Sequence, residues 1–114
     1  MIIQKLKDLS RGITESRSSK WPTFRKKFLE NRACSVCGGT DKLEAHHIAP
    51  FHKNPALELD ATNLIPLCEA KKDGVNCHLF VGHLGSWLSY NVNVREDAIK
   101  WNTKITSRPK WRKM

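Results

Sequence analysis

The stretch Glu44-Ala-His-His-Ile-Ala-Pro50 places two histidines side by side, shortly after a cysteine pair and just before a proline. Packed core residues, metal ligands, or a catalytic pair with separate tasks are the three readings open to it. Leu43, Ala45 and His47 alternate with charged or polar neighbours at period two, which predicts a strand over residues 43–48. Adjacent residues of a strand point to opposite faces, so His46 and His47 are not expected to grip one ion together. With an unperturbed pKa of about 6.5, histidine serves as a neutral ligand or as a base, so one of the pair can bind metal while its neighbour moves a proton.

Upstream, Cys34 and Cys37 form a C-x2-C turn in "CSVCGGT", a compact knuckle that presents two thiolates from one tight bend. Cys68 and Cys77 complete a set of four, with eight residues between them. Nothing in "MIIQKLKDLSRG" has the apolar core and small-residue cleavage site of a secretory signal, and no apolar run approaches the ~20 residues of a membrane span. A cytoplasmic location without membrane attachment is therefore expected, where cysteines stay reduced and favour metal over disulfides. Four thiolates leave no open position on a tetrahedral ion, so a structural Zn2+ is expected at Cys34, Cys37, Cys68 and Cys77. A chain of 114 residues buries only a modest apolar core, and such a metal would help to hold it.

The rest of the chain builds a small α+β unit around these sites. "NLIPLC" from Asn63 reads as a second short strand, "CHLFVGHLGSWLSY" over residues 77–90 as a helix, and the proline-punctuated residues 49–62 as a loop. A short amphipathic helix is predicted over residues 2–9. Another spans "WPTFRKKFLENR", with Trp21, Phe24, Phe28 and Leu29 opposite Arg25, Lys26 and Lys27. A last helix covers "VREDAIKWNTK", with Asn93 and Glu96 as a capping box. One domain is expected over 1–114: a basic helical region at 1–32, a knuckle-and-core unit at 33–90, and a helix with a basic tail at 91–114.

Twenty Lys and Arg against eleven Asp and Glu give a formal charge of +9, which favours a polyanionic partner. Six basic residues and one acid lie between Arg17 and Arg32, and Lys100, Lys104, Arg108, Lys110, Arg112 and Lys113 close the chain without an acid. Basic flanks around a cysteine- and histidine-rich centre point to nucleic acid. The phosphate contacts are expected from Arg17, Lys20, Arg25, Lys26, Lys27 and the tail; such contacts position a duplex without reading its bases.

The order "CSVCGG", "LEAHHIAPF", "LDATNLIPLC" and "NCHLFVGHLGSW", from Cys34 to Trp87, resembles the HNH endonucleases, and among them the small zinc-containing members encoded by phages. The resemblance implies a ββα-metal finger with a zinc knuckle, flanked by helices, that nicks or cuts DNA. It makes His46 a metal ligand of the catalytic centre, His47 the general base, and Asn63 the residue that positions His47 and ties the strands together. The helix would supply His78 and His83, and the catalytic ion would be Mg2+, Mn2+, Ni2+, Co2+ or Zn2+. On a regular helix these two histidines, five residues apart, lie ~140° apart around the axis. Either Gly82 lets the helix bend or widen, or one histidine binds metal while the other meets phosphate. His52 matches no role.

The resemblance also implies DNA as partner, with phage packaging proteins as possible company, the host cytoplasm as location if phage-encoded, and a monomer or weak dimer. Two readings compete with it: a non-catalytic zinc-finger module that only binds nucleic acid, and a protein-interaction domain stapled by zinc.

Overall fold

A computed structural model describes residues 17–71 and 75–110 of the chain; the helix expected over residues 2–9 lies outside them. Helix α1 spans Trp21–Leu29, strand β1 Leu43–His47, strand β2 Leu64–Cys68, a π-helical turn His78–Gly82, and helix α2 Val94–Thr106. Single 3-10 turns at Pro55–Leu57 and Ala61–Asn63 break up the loop between the strands. Among the described residues no helix is long and apolar enough to cross a membrane.

β1 and β2 form one antiparallel pair, with His46 opposite Ile65 and His47 opposite Leu64. The pairing runs on past both ends of the ladder: Ile48 N–H donates to the Asn63 carbonyl at 2.8 Å, and Glu69 N–H to the Lys42 carbonyl at 3.0 Å. Ser35 N–H donates to the Pro66 carbonyl at 2.9 Å, which fastens the knuckle to the edge of β2. Two strands alone are marginal in water. Here β1 is covered by α1, and both strands pack against the π-turn.

The core is small and partly made of sulfur: Val36, Ile65, Leu67, Val81, Val94 and Ala98 pack with Cys34, Cys68 and Cys77. Leu67 and Val94 are both fully buried. α2 closes this cluster through Val94 and Ala98, with Glu96 and Asp97 in its first turn, where negative charge suits the helix dipole.

Two expectations need correction. The helix over residues 77–90 is only the turn His78–Gly82, because Leu84 and Gly85 adopt positive φ of 54° and 87° and turn the chain away. The capping box is not formed either, since the Asn93 side chain makes no capping hydrogen bond. Asn91 takes over: its Oδ1 accepts from Asn93 N–H at 2.9 Å, and its Nδ2 donates to the Asp97 carboxylate at 2.8 Å and to the Val81 carbonyl at 2.9 Å. One buried amide thus joins the π-turn to α2.

Gly82 sits where the π-turn crosses the sheet. A β-carbon there would stand 3.1 Å from His46 Cε1 and 3.1 Å from Leu67 Cδ1, closer than ordinary packing allows. Gly82→Ala should therefore cost about 1–3 kcal/mol of stability by overpacking. An unchanged urea midpoint in that variant would contradict the close approach.

Candidate metal centres and active cleft

The four cysteines converge from three separate segments. Cys34 and Cys37 come from the knuckle, Cys68 ends β2, and Cys77 immediately precedes the π-turn. Their sulfurs all lie within 4.8 Å of one another, and Cys37 Sγ stands 3.5 Å from Cys68 Sγ. Tetrahedral thiolates about 2.3 Å from one zinc ion stand about 3.8 Å apart, so the group has the dimensions of a metal site. The knuckle is closed by Cys34 N–H to the Gly39 carbonyl at 2.8 Å and Gly38 N–H to the Cys34 carbonyl at 2.9 Å, with Gly38 at φ 78°.

Proton sharing within the cluster is uneven. A hydrogen bond from Cys77 holds the Cys34 thiol down at about 4, burial pushes Cys37 up to about 11, and Cys77 is driven up strongly by its bond to Cys34. Four thiolates in so small a space repel one another, and a cation among them removes that obstacle.

On the far side of β2 from the knuckle, His46, His78 and His83 gather their ring nitrogens within 4.8 Å. The π-turn makes this possible: its wider winding returns residues five apart to nearly the same side, which a 3.6-residue turn does not. Widening was one of the two arrangements open for this pair, and it is the one adopted. His78 Nε2 stands 3.1 Å from His46 Nδ1. Two imidazole nitrogens bound to one ion at about 2.1 Å stand about 3.0–3.4 Å apart, so this pair already has ligand spacing.

The outer nitrogens of the helix-side histidines are committed elsewhere. His78 Nδ1–H donates to the Glu69 carboxylate at 2.8 Å, and His83 Nδ1–H to the Ser89 carbonyl at 2.7 Å. Both bonds leave the Nε2 lone pair for the interior of the trio, the arrangement found around bound metals. Trp87, buried behind the trio, sets its ring edge-on to His78 and His83 at 5.1 and 4.9 Å.

His47 turns away from the trio, as the strand alternation predicts. Its ring lies 4.7 Å from that of Trp21, and its Nε2 is 3.0 Å from the Glu58 carbonyl. A carbonyl only accepts, so Nε2 carries the proton and Nδ1 carries the lone pair. Asn63 holds the segment beneath: its Oδ1 accepts from Ala49 N–H at 2.9 Å, and its Nδ2 donates to the Ala49 carbonyl at 3.1 Å. The same amide reaches the Leu57 carbonyl at 3.5 Å, next to the residue that bonds His47.

His46, His47, His78 and His83 open together onto a cleft of about 180 Å3. Arg17 and Arg25 stand at its rim, and each has a structural partner. Arg17 pairs with Glu58 at 3.6 Å and lies over the Phe51 ring, while Arg25 bonds Glu44 at 2.8 Å. Lys20, Lys26 and Lys27 are exposed on and beside α1, and His52 is exposed at the cleft.

Sequence reasoning passed over Glu58, Glu69, Trp21 and Trp87 as parts of the site. For Glu69 a signal exists, since it directly follows Cys68; for Glu58, deep in an irregular loop, the sequence holds none. Glu58 is buried, and its carboxylate accepts from Ser18 N–H at 3.0 Å, so one residue ties the N-terminal segment to His47.

No curated protein and no solved structure gives a significant match to the chain. Residues 34–79, from the first cysteine of the knuckle into the π-turn, match the HNH endonuclease family. The match takes in both strands, all four cysteines, His46, His47, Asn63 and His78, and leaves His83 beyond its end. Over that span the chain is similar to HNH endonucleases, and the matched residues form an antiparallel strand pair and the start of a histidine-bearing turn.

Proposed function

We propose that this protein is a metal-dependent DNA endonuclease that hydrolyses phosphodiester bonds, with His46, His78 and His83 holding a divalent ion and His47 acting as general base. The observation that carries the reading is the separation of neighbouring histidines: His46 points into a trio of ligand spacing, and His47 points away with its Nε2 anchored on a carbonyl. Ligands and base are then held by one strand, with neighbouring rings turned different ways at one cleft.

In this reading His47 Nδ1 takes the proton of the attacking water, and the Trp21 ring and the Glu58 carbonyl hold the imidazole in one orientation. Asn63 acts at one remove by pinning the loop that carries that carbonyl. His46, His78 and His83 would hold the divalent ion, which when bound would supply Lewis acidity for hydrolysis that leaves 5′-phosphate and 3′-hydroxyl ends. Three imidazoles leave positions open for water and phosphate, and they suit Mn2+, Ni2+, Co2+ or Zn2+ as well as Mg2+. The four cysteines hold a structural zinc that takes no part in the reaction. One centre of this kind cuts one strand in each event.

DNA is drawn in by charge. Arg17 and Arg25 line the cleft, and Lys20, Lys26 and Lys27 are exposed on and beside α1, so phosphates are the contacts these charges would make.

Purified protein should nick supercoiled plasmid with a divalent ion and not with EDTA. His47→Ala should lower the rate by about 10²–10⁴-fold while leaving DNA affinity in place. Absence of cleavage with every ion, beside retained binding by both proteins, would support a zinc module that only binds nucleic acid. For the charge assignment, Lys26→Ala/Lys27→Ala should weaken binding equally for all sequences and flatten the slope of log K against log salt by about 2. An unchanged slope would remove α1 from the interface.

A further inference from the structure

We infer that Glu69 is a positioning residue for the histidine trio, and that it carries the order of the cysteine cluster across to that trio. The inference rests on the reading of His46, His78 and His83 as an ion site. Of the two turn histidines, His83 is oriented by a neutral backbone carbonyl and His78 by a carboxylate, with Glu69 Oε2 2.8 Å from His78 Nδ1. A carboxylate on the outer nitrogen fixes the tautomer, aims Nε2 inward and raises the donor strength of the ring. His78 is deeply buried, whereas the Glu69 side chain keeps a quarter of its surface exposed. Glu69 therefore stands between solvent and ligand, and its role is directional as well as electrostatic.

The connection to the other metal centre is covalent at both ends of this contact. Glu69 is bonded through the backbone to Cys68, and His78 to Cys77. Cys68 and Cys77 are two of the four converging sulfurs, so an ion that draws those sulfurs together also sets the spacing of the residues beside them. Glu69 has little freedom to drift, because its N–H donates to the Lys42 carbonyl at 3.0 Å and continues the β-ladder past Leu43 and Cys68. With an ion held by the cysteines, the carboxylate–imidazole bond would close a short ring through Cys68, that ion and Cys77. That ring would couple the thiolate centre to the imidazole centre.

The test is Mn2+ affinity, read by loss of the free-ion electron paramagnetic resonance signal, on full-length wild type, Glu69→Gln, Glu69→Ala and His46→Ala proteins carrying zinc on their thiolates. Mn2+ prefers nitrogen and oxygen donors and does not displace zinc from sulfur, so the signal reports the trio. Glu69→Ala should bind Mn2+ about 10–100-fold more weakly than wild type with one zinc per chain retained. Glu69→Gln, whose amide oxygen still accepts from His78 but without charge, should fall between them.

Binding by Glu69→Ala within twofold of wild type, at equal zinc content, would overturn the inference. If Glu69→Ala also loses zinc, Glu69→Gln decides, and wild-type affinity in that variant overturns it. Mn2+ binding that survives in His46→Ala would overturn the reading of the trio itself, an outcome separate from the behaviour of Glu69.

Discussion

The approach of His46 to the backbone of Gly82 is the contact on which the rest of the arrangement depends. The π-turn lies so close against β1 and β2 that a β-carbon at Gly82 would stand 3.1 Å from both the His46 ring and Leu67, inside ordinary van der Waals contact, so a methyl group there would push them aside. That closeness brings the strand-borne imidazole within 3.1 Å of the turn-borne one. It also explains the wide winding of the turn, since an ordinary helix would carry His83 off the sheet. Packing and site geometry are here one constraint: what excludes a methyl group at Gly82 assembles the three nitrogens.

A core of so few apolar side chains is a thin foundation for a site that needs tight placement. The cysteine cluster supplies what the hydrophobic contacts lack, because it draws the knuckle, the end of β2 and the start of the π-turn to one point. Each of the last two segments then continues by a single residue into the histidine side, as Glu69 and His78. The base is supported differently. His47 depends on Trp21 from α1 and on the loop pinned by Asn63. Ligands and base thus have different side-chain partners although they are neighbours on one strand.

Much of this was legible from residue types and spacing. Period-two alternation around "LEAHHI" located β1 nearly to its ends, and it put His46 and His47 on opposite faces, as found. The C-x2-C turn with Cys68 and Cys77 marked the four sulfurs that converge, despite the eight-residue gap before Cys77. Helical periodicity failed at "CHLFVGHLGSWLSY", where apolar residues recur at plausible spacing but Leu84 and Gly85 take positive φ. Of those apolar residues Val81 and Trp87 are buried while Phe80, Leu84 and Leu88 are exposed, a division that periodicity does not foresee. The Asn93 cap failed for a related reason, because Asn91 was better placed to satisfy three partners at once. Glu58 and Trp21 owe their places to long-range closure, which leaves no local trace.

The division of labour between adjacent histidines is the claim that most needs a direct measurement, and metal affinity measures it without reference to cleavage. Titrating Mn2+ into His46→Ala and His47→Ala proteins, each with zinc on its cysteines, separates ligand from base. The account predicts that His46→Ala loses Mn2+ binding while His47→Ala binds it as tightly as wild type. Equal loss in both variants, or loss in His47→Ala alone, would contradict the assignment of the two neighbours to different tasks.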